Sequence, residues 1–319
     1  MRTILLCGLF SCYVAAAQEP RTETFKSGVT MIQVPVVVRD RDGRAVGDLK
    51  KEDFQLLDDG KPVEIAGFSV EKPGERTIVD RSMADPKSGA ASDVPERFVA
   101  YMFDDPGWSQ PDDVSRILDA ARKQLSTLQP GDRAAIVTAS CSVMEDFTND
   151  KARLMSALSR LHIRPPQKCF GSISARVQVL QLEVLKMVVK RMAHLPGRRE
   201  IVVVSGGFTV GMHRSSVRAL IDLAVRSKVV IHALDTYNGT LWPLILIQLA
   251  HETGGMYVAG NDFEVPFRKL STPESYYLLS FVPTGKTDGK LHRLQVKLSR
   301  KGKFTVEGRS AYYAPERAE

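Results

Sequence analysis

Phe98-Val99-Ala100-Tyr101-Met102-Phe103-Asp104-Asp105 is an apolar run that ends in two carboxylates, and Pro106-Gly107-Trp108-Ser109 separates it from a helical pattern headed by Pro111. A strand buried on both faces of a parallel sheet reads as a near-continuous apolar run, because neither of its faces meets water. Carboxylates just past its carboxyl end stand where open α/β sheets bind ligands. The stretch predicts a doubly wound, mostly parallel α/β sheet and gives the address of its binding edge.

Outward from it, residues 97–271 alternate short apolar runs with helical patterns. Further strands are expected at Ala134–Ala139, Ile201–Val204, Val229–Leu234 and, more weakly, Met256–Val258. Between them, residues at three- and four-residue spacing form apolar helix faces. These are Val114, Ile117, Leu118, Ala121 and Leu125; Leu154, Leu158 and Leu161; Val177, Leu180, Val184, Val188 and Met192; Val217, Leu220, Ile221 and Ala224; and Leu246, Leu249 and Ala250, stopped by Gly254-Gly255. Such alternation implies βαβ units.

The flanks differ. Residues 25–71 read as β, with Val34, Val36 and Val38 alternating and with turns at Asp40-Arg41-Asp42-Gly43 and Asp58-Asp59-Gly60. Asp40-Arg41-Asp42-Gly43 lacks the downstream acidic ligand of a calcium loop and is read as a hairpin turn. Residues 275–314 return to β, through Tyr276–Val282, Leu291–Leu298 and Phe304–Tyr313. The amino-terminal segment is too short for a core of its own. Size therefore predicts that both segments join in one β-sandwich, with the α/β domain inserted between them. Residues 72–96, with Pro73-Gly74 and Asp85-Pro86-Lys87-Ser88-Gly89, are expected to be a flexible linker.

A basic start, the apolar residues Ile4 to Phe10 and Ala15-Ala16-Ala17 make residues 1–17 a signal peptide cleaved after Ala17. Lipidation at Cys12 is the weaker reading, because Phe10 and Ser11 fit it poorly. The expected location is the periplasm, cell envelope or exterior, without a transmembrane span. The formal net charge is +7, spread without a long basic run, which does not support specific nucleic-acid binding. Cys7 and Cys12 leave with the leader; Cys141 and Cys169 remain. Two free thiols are one reading, and a disulfide is preferred because both fall in loops of an exported chain.

Catalytic motifs are incomplete. His251-Glu252 begins a zinc-protease motif, but Gly255 stands where its second histidine is required. Ser205 follows a strand, yet Val203 replaces the first glycine of a nucleophile elbow. Gly206-Gly207-Phe208-Thr209 lacks the lysine of a phosphate loop. Asp235 is read as capping the turn after its strand.

The order of these stretches resembles the von Willebrand factor A-related proteins numerous in acidobacterial genomes. The carrying residues are Val36-Val37-Val38-Arg39-Asp40-Arg41-Asp42-Gly43, Leu49 through Gly60, Phe103-Asp104-Asp105, Pro130-Gly131-Asp132-Arg133, Asp146-Phe147-Thr148, Pro196-Gly197-Arg198-Arg199, Thr253-Gly254-Gly255 and Tyr276 through Tyr313. The resemblance implies an A-like fold and a Mg²⁺ or similar ion at the carboxyl edge. In the family an Asp-x-Ser-x-Ser loop, a Thr and a later Asp hold that ion. Here Pro106 and Trp108, or Gly107 and Ser109, occupy the two serine positions. Ser172 or Ser174 replaces the Thr, and Ser205-Gly206-Gly207 brings no carboxylate.

Asp104, Asp105, Ser109, Ser172, Ser174 and Ser205 are thus the candidate ligands of a degenerate metal-dependent adhesion site. No cofactor is required, and any Mg²⁺ or other divalent cation is expected to bind weakly. The expected function is a non-enzymatic protein-interaction or adhesion module. Its protein partner would dock on this edge, with Trp108, Phe208 and Met212 as apolar anchors. The alternative is a hydrolase using Asp104 or Asp105 as base.

Overall fold

The computed structural model describes residues 31–41, 44–72, 75–78, 97–108, 111–162, 177–207, 214–237, 243–260, 262–271, 275–283 and 288–315. The expected signal peptide lies outside the described residues. Among those described, no helix is long and apolar enough to cross a membrane.

The amino-terminal β segment supplies β1 (Ile32–Arg39), β2 (Phe54–Asp58), β3 (Lys61–Val63), β4 (Gly67–Lys72) and β5 (Glu75–Ile78). Strand β1 alternates as its sequence predicts: Val34, Val36 and Val38 are fully buried. Strand β5 lies inside the stretch expected to be a linker. It pairs antiparallel with β4, Lys72 opposite Glu75, so residues 75–78 are strand and not linker. The rest of that stretch, 79–96, lies outside the described residues.

The α/β unit follows with β6 (Arg97–Phe103), α1 (Pro111–Ser126), β7 (Asp132–Thr138), β8 (Met144–Thr148), α2 (Lys151–Ser159), α3 (Val177–Met192), β9 (Arg198–Ser205), α4 (Arg214–Arg226), β10 (Val229–Asp235), α5 (Leu244–Thr253), β11 (Tyr257–Ala259) and α6 (Glu264–Ser271). Its six-stranded sheet runs β11-β10-β9-β6-β7-β8, parallel except for β8. Strand β6 is central, and its residues alternate between two buried layers. Phe98, Ala100 and Met102 face α3, α4 and α5. Val99, Tyr101 and Phe103 face α1, α2 and α6. Burial on both faces explains the unbroken apolar run.

Local chemistry sets the helix ends. Asp150 caps α2, its carboxylate accepting from the backbone N–H groups of Ala152 (2.9 Å) and Arg153 (3.2 Å). Asp112 and Asp113 complement the positive end of α1. Helix α5 stops at Gly254, which is left-handed at φ 84°. A Cβ on Gly255 would sit 2.1 Å from the Ile231 carbonyl oxygen, so only glycine lets the chain enter β11 beside β10.

The chain closes with β12 (Tyr276–Phe281), β13 (Leu291–Leu298), β14 (Thr305–Gly308) and β15 (Ala311–Tyr313). These strands interleave with those of the amino-terminal segment in two antiparallel sheets, β14-β1-β12-β4-β5 and β15-β13-β2-β3. Both contribute to one apolar cluster that includes Val34, Phe54, Phe68, Tyr277, Phe281 and Tyr312. Tyr277 anchors it: its hydroxyl donates to the Val46 carbonyl (2.6 Å) and accepts from the Leu49 N–H (3.0 Å). Residues over 200 positions apart in sequence are joined there.

Candidate functional site

Strand order reverses at β6: the chain goes first to β7 on one side and later to β9 on the other. Open sheets bind ligands in the crevice at such a switch point. Asp104 and Asp105 stand there, directly after β6, and both are fully buried.

Asp104 is tied to β9 and α3. Its backbone N–H donates to the Val204 carbonyl (2.9 Å), extending the β6–β9 pairing by one bond. Its carboxylate accepts from Ser205 Oγ (2.6 Å) and from Gln181 Nε2 (2.7 Å). Ser205 Oγ also accepts from the Gly207 N–H (3.0 Å). A Cβ on Gly107 would lie 2.6 Å from Asp104 Oδ2, so the carboxylate fills the space above a residue that must be glycine. Burial raises the Asp104 carboxyl to a pKa of about 6, and the charge of Asp105 pushes the same way. The Ser205 and Gln181 hydrogen bonds restrain that rise.

Asp105 opens a single 3₁₀ turn, Asp105–Gly107, and is tied to the loop after β7. Its Oδ1 accepts from the Ser140 N–H (2.9 Å), and its Oδ2 accepts from the Ser140 and Ser142 hydroxyls. The Ser140 and Ser142 hydroxyl oxygens lie 2.9 Å apart, and Thr138 Oγ1 accepts from the Val143 N–H (3.0 Å). The loop turns through Cys141, which is left-handed at φ 56°. Burial raises the Asp105 carboxyl above its usual value, and the Ser140 bonds oppose the shift.

Four carboxylate oxygens are therefore met by serine, glutamine and backbone donors. The pair binds the ends of β6, β7 and β9 and the first turns of α3 into one clasp. A Mg²⁺ site requires oxygens converging on an open point, with room for water. Among the described residues, the two carboxylates are fully buried and each is already met by donors, so they leave no such open point.

The expected site residues divide accordingly. Asp104, Asp105 and Ser205 come together. Ser109, Ser172, Ser174, Cys169, Phe208 and Met212 lie outside the described residues. Trp108 is a correction: expected as a surface anchor, it is only 6 % exposed and packs edge-on against Phe103, ring centroids 6.1 Å apart. The 3₁₀ turn folds it back into the layer under α1, where its large apolar area is removed from water. Asp235 caps as expected, accepting from the Tyr237 N–H (2.8 Å) and also from the Tyr257 hydroxyl (2.7 Å).

Ser140, Ser142 and Gln181 escaped the sequence reading. Ser140-Cys141-Ser142 was visible as a polar loop after a strand, but nothing local indicated which carboxylate it meets. Other unforeseen features are exposed apolar side chains. Met144 (48 % exposed) begins β8, Tyr237 (51 %) follows β10, and Leu244 (67 %) begins α5. All three stand toward the carboxyl end of the parallel strands. The remaining large exposed apolar residue among those described, Val282 (37 %), belongs to the β region after β12.

The α/β unit has a von Willebrand A-like fold: six strands in doubly wound order, the third antiparallel at the edge, and acidic residues after the first. No protein-family model and no curated protein sequence matches the chain. Solved structures similar to it include an aerotolerance-related membrane protein from Bacteroides fragilis. That likeness has 12 % identity and a TM-score of 0.40, over 54 % of this chain and 96 % of that one. The vWF domain of a type V pilus tip protein from Porphyromonas gingivalis is also similar. Here the identity is 13 % and the TM-score 0.42, over 57 % of this chain and 95 % of that one.

Proposed function

We propose that the chain is an exported, non-enzymatic protein-interaction or adhesion module whose partner docks on the carboxyl edge of the A-like sheet. The observation that carries this reading is the placement of Met144, Tyr237 and Leu244, three of the four large apolar side chains exposed among the described residues. Exposed apolar and aromatic groups beside a rigid polar frame are what protein partners use as anchors. Tyr237 stands directly beside the clasp: a Cβ on Gly206 would lie 3.3 Å from its own Cβ.

In this reading Asp104 and Asp105 hold the loops that present these side chains. They act neither as catalytic base nor as ligands of a resident metal. Export rests on the basic, apolar and Ala-rich residues 1–17. A Cys141–Cys169 disulfide would fix the loop that carries Ser140 and Ser142, and mass spectrometry of the non-reduced protein tests it. The proposed function itself is tested by affinity capture from a cell-envelope extract. Wild-type protein retains a defined partner, and so does a Val282→Ser control. A Met144→Ser/Tyr237→Ser/Leu244→Ser variant with an unchanged melting temperature loses it. Equal capture by the triple variant rejects the edge as the docking surface.

A further inference from the structure

At the opposite, amino-terminal end of the parallel strands, a cavity of about 390 Å³ lies between the α/β unit and the five-stranded antiparallel sheet. Ligand pockets begin at about this size. One wall is the outer face of β1, β12 and β14, the other the start of β9 and the turn between α4 and β10. Among the described residues, six that line it are cationic, Arg39, Arg198, Arg199, Lys228, Lys269 and Arg309, and one carboxylate, Glu307, lines it with them. Glu307 is engaged by Arg39 (3.3 Å).

Among the described residues, Arg199, Lys228 and Arg309 have no ion-pair partner. Arg198 pairs through Nε with Glu200, which Arg97 also engages (2.7 Å), and its guanidinium lies 4.6 Å from the centre of the Tyr276 ring. Its Nη1 is buried without a hydrogen-bond partner among the described residues, and so is Arg199 Nε. Arg199 Nη1 donates to the Ala193 carbonyl (3.1 Å), and Arg309 Nη2 donates to the Val225 carbonyl (2.9 Å). Both guanidiniums are thus oriented by neutral backbone, and among the described residues no carboxylate pairs with either. Burial, together with the charges of Arg309 and Arg199, pulls the Lys228 amine below its usual value. Burial and Arg199 pull Arg309 down to about 10. Like charges gathered in a half-buried space cost stability unless an anion offsets them.

We propose that this cavity binds a small molecule carrying a phosphate group, with the phosphate among Arg199, Lys228 and Arg309. A phosphate carries close to two negative charges and several acceptor oxygens, which suit guanidinium forks better than a single carboxylate does. Pro35, Val37, Leu278 and Val229 give the rest of the cavity apolar walls, so the ligand extends beyond the phosphate itself. Ligand bound here contacts both parts of the chain and locks them together. The inference is independent of the docking edge, which lies at the other end of the strands.

Equilibrium dialysis with radiolabelled pyrophosphate, at constant ionic strength and pH 7.5, tests the proposal on the full-length mature protein. Saturable one-to-one binding is expected, weakened at least tenfold in Lys228→Met and in Arg199→Gln and unchanged in Asp104→Asn. The Lys228→Met protein is expected to melt no lower than wild type without ligand, because it loses like-charge repulsion. Pyrophosphate is expected to raise the wild-type melting temperature, and sodium chloride of equal ionic strength is not. Absence of saturable binding, equal binding by both variants, or an equal effect of chloride overturns it.

Discussion

Replacing Asp104 with asparagine tests the clasp through its pH dependence. The fully buried Asp104 carboxyl has a pKa raised from 3.8 to about 6, chiefly by burial. Between these values the folded chain keeps the proton that the unfolded chain has released. A raised carboxyl pKa therefore gives stability that falls as pH rises through that window and levels above it. The shift corresponds to a loss on the order of 3 kcal/mol, at about 1.4 kcal/mol per pKa unit. Asparagine has the same shape and carries no charge at any of these pH values. Its amide can still accept from Gln181 Nε2 while offering a donor to Ser205 Oγ. Urea unfolding of both proteins from pH 4 to 7.5 is the assay. The two should be similar near pH 4, and Asp104→Asn should gain up to about 3 kcal/mol over wild type across pH 4–6, levelling above that. A gap that stays constant with pH, or an asparagine variant that falls behind as pH rises, refutes the reasoning. The second outcome would mean that the ionised carboxylate is stabilised, as a bound cation would do.

Gly107→Ala places a Cβ 2.6 Å from Asp104 Oδ2, so a loss of about 1–3 kcal/mol is expected, read as a lower thermal midpoint. Trp108→Ala empties a buried site against Phe103 and is expected to cost about 3–5 kcal/mol in denaturant unfolding. The folded fraction of that variant should still capture the envelope partner, because the indole does not reach the surface. Tyr277→Phe leaves the Leu49 N–H without its acceptor and is expected to cost about 1–3 kcal/mol by urea titration. An unchanged midpoint there would show that the tyrosine does not tie the amino-terminal segment to β12.

The parallel strands were legible because burial on both faces leaves an unbroken apolar run, as in Phe98–Phe103 and Ile201–Val204. Helices α1 and α4 were legible because only one face is buried. Strand β8 was not, since an edge strand with alternating exposure, Met144 to Thr148, carries too little apolar signal. Helix α6 was missed as well: Phe263, Phe267 and Leu270 are spaced for a helix, but Pro266 interrupts the pattern that a periodicity reading follows. At the site, the sequence placed Asp104, Asp105 and Ser205 together because strand ends meet at a switch point. It could not place Gln181 or Ser140, whose contacts depend on helix and loop positions fixed by tertiary packing. The same limit applies to Trp108, whose burial follows from a 3₁₀ turn that Pro106-Gly107 permits but does not require.

Photocrosslinking in the native envelope tests the docking edge most directly. A photoreactive residue in place of Tyr237 should give one defined adduct, and the same residue in place of Val282 should give none. The Tyr237 adduct should persist in the presence of a divalent-metal chelator. Equal adducts at both positions, no adduct at either, or loss of the adduct on chelation would contradict a metal-free partner surface at the carboxyl edge.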